Sequence, residues 1–504
     1  MPYSNGKVWL VGAGPGDSGL LTVKGKQILE QAEVILYDSL VGEGILAWMP
    51  DAAEKISVGK RAGRHHMPQE EINLLLLEKA KMGKRVVRLK GGDPFLFGRG
   101  GEELELLTQH RIPFEVVPGI SSAIAVPAYH GIPVTHRDFC SSLHIITGHK
   151  KQGSPLALDY PTLANLPGTL VFLMGVHTMP EICQGLLQAG MAPHTPASLL
   201  ENGTLSNQRA VHSTLEQLPE DAKAANIAPP AVLVIGSVCS LHRSFSWTQS
   251  PIRPLGDVRV IVTRPRSRAS ALSQQLRELG AEVLEFPSIQ TIPLDRNPQI
   301  DQMLSRLSSY HWMLFTSAAG VEAFFSLLQA QRVDIRRLTH TKFAAIGPAT
   351  QQAIEQHGVL VDCVPTHYDA EALAKSLLTM IQPGETVCIP RAQEGTPRLT
   401  KVLTDAGISF DDIPIYQTKF SHHPPFTLRK TDLVAFTSAS TVKGFVQTMA
   451  GTDFRHLPAI CIGEQTAQEA RKHAMKTVVA KQSTIDSLVD CLVTFHIQRK
   501  EEAL

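Results

Sequence analysis

The 504-residue sequence predicts an α/β protein made of two halves, the second of them folded as two lobes. Three observations carry that expectation. Strand-like apolar runs alternate with helical patterns, which argues for parallel sheets with helical crossovers. Loops rich in glycine and proline follow those runs, at the carboxyl ends where open α/β sheets bind ligands. An internal repeat runs through the second half.

The length exceeds what one core serves at roughly 100–200 residues per domain. Forty-eight basic residues nearly balance forty-seven acidic ones, for a formal charge of +1, so neither nucleic acid nor an anionic membrane is expected as a partner. Seven scattered cysteines form no C-x-x-C motif, the pattern of reduced thiols in a cytoplasmic protein. The opening "MPYSNGKVWLVGAGPG" holds an apolar run too short for a signal peptide, and far short of a span of about 20 residues.

In the first half the strands are "KVWLVGAG", "AEVILYD", "RVVRLKGG", "PFEVVPG", "LHIITGH", "TLVFLMG" and "AVLVIGSV". The polar stretch "TQSPIRPLGD" (Thr248–Asp257) then marks a linker, giving expected limits of 1–247 and 258–504 for the halves. Beyond it, "HWMLFTSAAGVEAFFSLL" is echoed by "DLVAFTSASTVKGFVQTM", and "FAAIGPATQQAIEQHG" by "AICIGEQTAQEARKHA". The order of the copies predicts one lobe from 258–290 plus 419–504, with 291–418 inserted as the other. "EFPSIQTIPL" and "DIPIYQTKF" then form a paired hinge.

The loop "VGAGPGD" invites a dinucleotide reading, with Asp38 as a ribose-binding acid, yet it is no G-x-G-x-x-G fingerprint: Pro15 removes an amide and Asp17 follows Gly16. No P-loop lysine follows either. Taken with "YDSLV", "VGKRAG", "VRLKGGDPFLFGRGGEE", "VVPGISSAIAVPAYHGIPVTHR", "TLVFLMG" and "ENGT", it closely resembles the uroporphyrinogen-III C-methyltransferases of the tetrapyrrole methylase family, over residues 6–245. The resemblance implies a two-lobed tetrapyrrole methylase fold, a homodimer, and an S-adenosylmethionine site between the lobes. The family's cofactor contacts fall on Pro15, Gly91, Gly92, Asp93, Leu96, Ser121, Ser122, Met174 and Gly203.

A sulfonium carrying an amino-acid tail and an adenosine calls for close backbone approach, which Gly91 and Gly92 permit. Asp93 either meets the amino group or fixes the loop, and Phe95 and Phe97 are expected to pack. By the same resemblance Asp38 matches a proton acceptor and Lys60 a proton donor; from the residues alone, Asp38 is equally a turn acid at a strand end. A carboxylate-rich tetrapyrrole calls for arginine forks. Among the clustered cations, which include Arg85, Arg88 and Lys90, the candidates are Lys60, Arg61, Arg64, Arg99 and Arg137. His65 and His66 lack a third ligand at metal spacing, so no metal is expected. Two departures from the family stand out, Ser121 in "GIS" and His130 in "AYHG", the second bearing on the substrate pocket. The sequence upstream of "VWLVGAGPGD" is too short for the oxidation and iron-insertion module of trifunctional sirohaem synthases, so those steps are expected from another protein.

In the second half "FTSAAGVEAF", "AIGPATQQAI", "DDIPIYQT", "FTSAST" and "CIGEQTAQEA" resemble uroporphyrinogen-III synthase over residues 256–495, through shorter motifs. The resemblance implies a bilobed α/β fold and cyclisation of hydroxymethylbilane with inversion of the last ring. Tyr416 matches the family's hinge tyrosine, whose phenol would assist loss of the hydroxyl, or else simply packs. Ser317, Thr350, Ser438 and Thr466 stand where strands feed helices, either gripping carboxylates beside helix amides or capping those helices. Arg264, Arg391 and Arg398 are further anion candidates. The resulting expectation is a cytoplasmic bifunctional enzyme that makes uroporphyrinogen III and methylates it twice, to precorrin-2. The rivals are a tetrapyrrole-binding second half without turnover and, more remotely, a nicotinamide dehydrogenase.

Overall fold

The computed structural model of the protein describes residues 6–59, 67–149, 158–248, 250–264, 266–395, 397–421 and 426–502. The first half contributes β1 (Lys7–Gly12), β2 (Val34–Tyr37), β3 (Glu54–Ser57), β4 (Arg85–Lys90) and β5 (Phe114–Val117), then β6 (Ser142–Thr147), β7 (Gly168–Leu173), β8 (Pro196–Glu201), β9 (Arg209–Thr214) and β10 (Ala231–Ile235). In the second half follow β11 (Arg259–Val262), β12 (Glu282–Glu285), β13 (Ile289–Pro293), β14 (Trp312–Phe315), β15 (Lys342–Ala345), β16 (Thr386–Ala392), β17 (Ser409–Phe420), β18 (Leu433–Phe436), β19 (Pro458–Cys461) and β20 (Lys476–Val479).

These strands form four five-stranded sheets, in the orders β3-β2-β4-β1-β5, β6-β7-β10-β8-β9, β12-β11-β18-β19-β20 and β13-β17-β16-β14-β15. The first and third sheets are wholly parallel. Helices cover both faces of such sheets, so their central strands read as apolar runs, buried along their length in β2, β18 and β19 and, apart from the buried Arg259 that opens it, apolar in β11 too. Separate apolar clusters lie on the two faces of the first sheet, one around Ile35 and Val87, the other around Leu36 and Val86.

The second sheet departs from the parallel expectation. β10 runs antiparallel to β7 and β8, and β8 antiparallel to β9. Residues 202–208, between β8 and β9, are too few for the dozen or so residues that a parallel crossover requires. In the second half the chain leaves the third sheet after β12, builds the fourth, and returns for β18. The outgoing β13 lies antiparallel to β17, Ile289 opposite Phe420 and Pro293 opposite Tyr416. Ser288 fastens the crossing: its Oγ donates to the Thr441 carbonyl at 2.8 Å, and its carbonyl accepts from the Ser421 amide.

The stretch around 248–257 is more packed than a polar linker suggests. Leu255 is fully buried in the apolar cluster that covers one face of the third sheet. The Thr248 hydroxyl accepts from Gln208 Nε2 at 3.3 Å, and Asp257 receives His496 and Lys500 from the C-terminal helix Ile485–Glu501.

The halves touch through a charged seam. Arg259, fully buried on β11, donates Nε and Nη2 to Asp432 at 2.9 and 2.7 Å, Nη2 also to the Thr427 carbonyl, and Nη1 across the seam to Glu43. Burial without partners would be prohibitive for this guanidinium, and all three of its nitrogens are matched. Arg259→Met would leave the Asp432 carboxylate buried without its cation. Its expected cost is about 3–5 kcal/mol, read as a lower urea midpoint for the second half.

Candidate active sites

Three chain segments converge backbone to backbone above the first sheet. The loop after β1 pairs with the loop after β4 through Gly14 N to Gly92 O at 3.1 Å and Gly92 N to Gly14 O at 2.8 Å. A Cβ on Gly12 would sit 2.5 Å from Gly119 Cα, and one on Gly119 would sit 2.2 Å from Gly92 O, so side chains are excluded from this junction. Gly92 has a φ of +68° and faces open space, where no atom lies within 4 Å of a notional Cβ. The result is a cradle walled by main chain, open where a ligand would sit.

The cofactor candidates all lie at the carboxyl ends of strands. Pro15 follows β1, Gly91 to Leu96 follow β4, Ser121 and Ser122 follow β5, Met174 follows β7 and Gly203 follows β8. Ser121 caps the helix Ser122–Tyr129 by accepting the Ala123 amide. That helix reaches the second lobe, since a Cβ on Gly203 would strike Val126 at 2.3 Å. Asp93 is committed to loop fixing, its Oδ1 accepting the Phe95 and Leu96 amides at 2.8 and 3.1 Å and its Oδ2 the Gly119 amide at 3.0 Å. Phe95 and Phe97 join none of the apolar core clusters: they remain 58% and 39% exposed on this loop, with the Phe95 ring lying against Gly100.

Asp38, at the end of β2, accepts the Gly91 amide at 3.1 Å and the Leu40 amide at 3.0 Å, with Arg88 Nη1 at 4.0 Å. It thus touches the cradle from the side. Lys60, Arg61, Arg64, His65 and His66 lie outside the described residues. Arg99 forms a two-point ion pair with Glu102, and Arg137 is exposed.

Arg88 and Lys90, counted among the clustered cations, instead turn inward onto Glu103. All three are buried, with Arg88 Nε at 3.0 Å and Lys90 Nζ at 2.8 Å from Glu103 Oε1. Burial, and Arg88 beside it, hold the Lys90 ammonium below its ordinary pKa despite Glu103. The sequence reading missed Glu103; its signal was a second acid in the first turn of a helix directly after the loop. It missed Asp17 too, which binds three segments: its carboxylate accepts Gly19 N at 2.8 Å and Tyr129 Oη at 2.7 Å, and its amide donates to Thr204 Oγ1 at 3.1 Å.

In the second half Tyr416 is buried on β17, its phenol oxygen 3.0 Å from Ser317 Oγ. Ser317 also caps the helix Ala318–Ala330 by accepting the Gly320 amide at 3.0 Å. Ser438 occupies the matching position in the repeat and accepts the Thr441 amide. Thr350 and Thr466 are buried in the first turns of their helices. Ser317, Thr350 and Tyr416 therefore belong to the lobe of the fourth sheet, and Ser438 and Thr466 to that of the third. Arg391 is less available than expected, because its Nε and Nη2 grip Asp412 at 2.6 and 2.5 Å. Arg398 is exposed and Arg264 half-buried. No group of three metal-ligating side chains occurs among the described residues, nor any helix long and apolar enough to cross a membrane.

His130 closes the helix after the cradle, with its Nε2 buried and its ring 6.5 Å from that of His212. It therefore packs toward the second sheet's lobe.

The model of the family described as Tetrapyrrole (Corrin/Porphyrin) Methylases matches residues 7–219, and that of Uroporphyrinogen-III synthase HemD matches residues 270–490. The Porphyrin biosynthesis protein HemD of Ruminiclostridium josui is 43% identical over 495 residues, covering 97% of this chain and 98% of that protein. The S-adenosyl-L-methionine-dependent uroporphyrinogen III methyltransferase of Methanosarcina barkeri (strain Fusaro / DSM 804) is 53% identical over 245 residues, 48% of this chain and 95% of its own length. A crystal structure of Uroporphyrin-III C-methyl transferase from Thermus thermophilus, complexed with S-adenyl homocysteine, is 42% identical, with a TM-score of 0.41 over 47% of this chain and 99% of that one.

Burial pushes both His130 and His212 down to about 4 from the ordinary 6.5, His212 further disfavoured by His242. Between those values the unfolded chain binds more protons than the folded one. Stability of the first half should therefore rise with pH from about 4 to about 6.5 and level off above, as measured by urea midpoints; His130→Ala should flatten that rise.

Proposed function

The chain belongs to the family of tetrapyrrole-biosynthesis fusions that join a tetrapyrrole methylase to a HemD-type uroporphyrinogen-III synthase, and from that premise we propose that it makes precorrin-2 from hydroxymethylbilane. Both halves are enzymes, a uroporphyrinogen-III C-methyltransferase and a uroporphyrinogen-III synthase, and both act on tetrapyrroles. S-adenosylmethionine is the methyl donor. In the proposed sequence the second half closes the linear substrate with inversion of ring D, and the first half methylates the product twice, at C2 and C7. The observation that carries this reading is the presence in one chain of a backbone-walled cradle at Gly14 and Gly92 and a hydroxyl pair made by the buried Tyr416 and the partly buried Ser317.

The cradle fits its group: main-chain walls and an open face at Gly92 leave room for a ligand that needs close backbone approach. When bound, S-adenosylmethionine supplies an electrophilic methyl group on a sulfonium. Pro15, Gly91, Gly92, Leu96, Ser121, Ser122, Met174 and Gly203 would hold it, with Asp93 keeping the loop in shape. The porphyrinogen supplies a carbon nucleophile, so the chain must align it and manage a proton. Asp38 is placed in that reading as the acceptor of the proton lost from the methylated ring carbon, and Lys60 as a donor. Arg61, Arg64, Arg99 and Arg137 would meet substrate carboxylates, for which Arg99 must release Glu102.

In the synthase half the Tyr416 phenol, already paired with Ser317, would donate its proton as the terminal hydroxyl leaves as water. Ser317 and Thr350 from one lobe, and Ser438 and Thr466 from the other, would grip carboxylates through hydroxyls and neighbouring helix amides. The remaining proposals are domain limits of 1–247 and 258–504, a cytoplasmic location suited to free thiols, and a homodimer through the first half, supported by exposed Phe95, Ile120 and Ile124.

Anaerobic incubation with hydroxymethylbilane tests the whole reading. Uroporphyrinogen III is expected without the donor and a doubly methylated product with it. Formation of the type I ring alone, as in spontaneous closure, would overturn the synthase assignment. Tyr416→Phe should slow ring closure about 100-fold if the phenol acts as an acid, with methylation of supplied uroporphyrinogen III unchanged.

A further inference from the structure

The loop between β8 and β9 bears a candidate cofactor contact, Gly203, and its backbone is strained. Asn202 and Thr204 have φ of +49° and +75°, and a β-branched residue in that region is an outlier held only by its surroundings. One restraint comes from the first lobe, where Asp17 N donates to Thr204 Oγ1. The other comes from the synthase half. Glu282, opening β12, accepts the Ser206 amide at 2.8 Å and its hydroxyl at 2.6 Å. Arg429 joins the same point, 2.7 Å from Glu282 and 3.4 Å from both Ser206 Oγ and Asn207 Oδ1.

A second contact reaches the cradle through the loop after β1. Glu43, gripped by Arg259 and 3.8 Å from Arg429, lies next to Gly42, where a Cβ would fall 2.3 Å from Gly16 O. Gly16 in turn abuts Leu205 and Thr204. Glu282 is largely buried; Arg429 and Ser206 keep its carboxyl below its ordinary pKa against the opposing effect of burial.

We propose that Glu282 and Arg429 are positioning residues of the methyl-donor site, supplied by the synthase half, so that docking of that half and binding of S-adenosylmethionine favour each other. This rests on the cradle being the donor site. An interaction present only when the loop is held in its strained form lowers the free energy of the binding-competent state, and linkage makes the effect reciprocal.

The test titrates S-adenosylhomocysteine into the full-length protein by calorimetry. Glu282→Ala should raise its Kd about tenfold and raise KM for the donor, with kcat at saturating donor and the rate of ring closure unchanged. Glu282→Gln keeps an acceptor for Ser206 and should recover most of the affinity. If Glu282→Ala also impairs ring closure, Ser206→Ala decides from the methylase side: weaker binding with intact closure upholds the coupling. An unchanged Kd in the folded Glu282→Ala protein, or in Ser206→Ala in the event that it has to decide, overturns it. Failure of the wild-type protein to bind at all would overturn the reading of the cradle and the coupling with it.

Discussion

A guanidinium with no access to water must find every partner inside the protein, and Arg259 meets that demand with groups from both halves. Asp432 and the Thr427 carbonyl would suffice to tie β11 to the segment before β18. Glu43 extends the network out of the synthase lobe and into the turn after β2. Desolvating a charge costs several kcal/mol unless its geometry is well matched, so the network tolerates little variation in how the halves meet. That pairing requirement is one of the contacts, with Glu282 on Ser206, that set how the halves meet.

Above the first sheet the governing constraint is the absence of side chains. Gly12 and Gly119 meet each other and the Gly92 carbonyl at distances that a Cβ on either would forbid, and Asp93 locks two of these segments together by accepting three amides. Asp38 is held against the same loop through the Gly91 amide. Arg88 lies within 4.0 Å of Asp38 while its Nε is engaged by Glu103, so a buried ion pair stands directly behind the candidate base. Cradle, candidate base and ion pair thus form one continuous arrangement.

Features that depend on neighbours along the chain were legible in the sequence. The apolar runs marked β2, β4, β7 and β10, and the repeated Thr-Ser turns marked Ser317 and Ser438 before their helices, where both cap. Features that depend on distant partners were not. Asp17 reads as a turn acid, yet it joins Tyr129 and Thr204 across more than a hundred residues of chain. Arg88 and Lys90 look like surface cations until Glu103 is found beneath them, and Arg391 looks like an anion site until Asp412 is found to hold it. The mixed second sheet was hidden because alternating apolar runs carry no strand direction; only the short 202–208 connection hinted at it.

The packed junction between the halves also bears on why they share one chain. A flexible tether would act by raising the effective concentration of one site near the other, an effect that depends on linker length and not on contacts. Here Leu255 is buried in the third sheet's core, Thr248 is bonded to Gln208, and Asp257 is held by the C-terminal helix. Such a segment fixes an orientation. The contacts it permits, Glu282 on Ser206 and Arg259 on Glu43, fall on two loops that border the cradle, so the synthase lobe adjoins the methylase as a wall adjoins a room. Fusion of this kind makes the geometry of one active site partly a property of the other half.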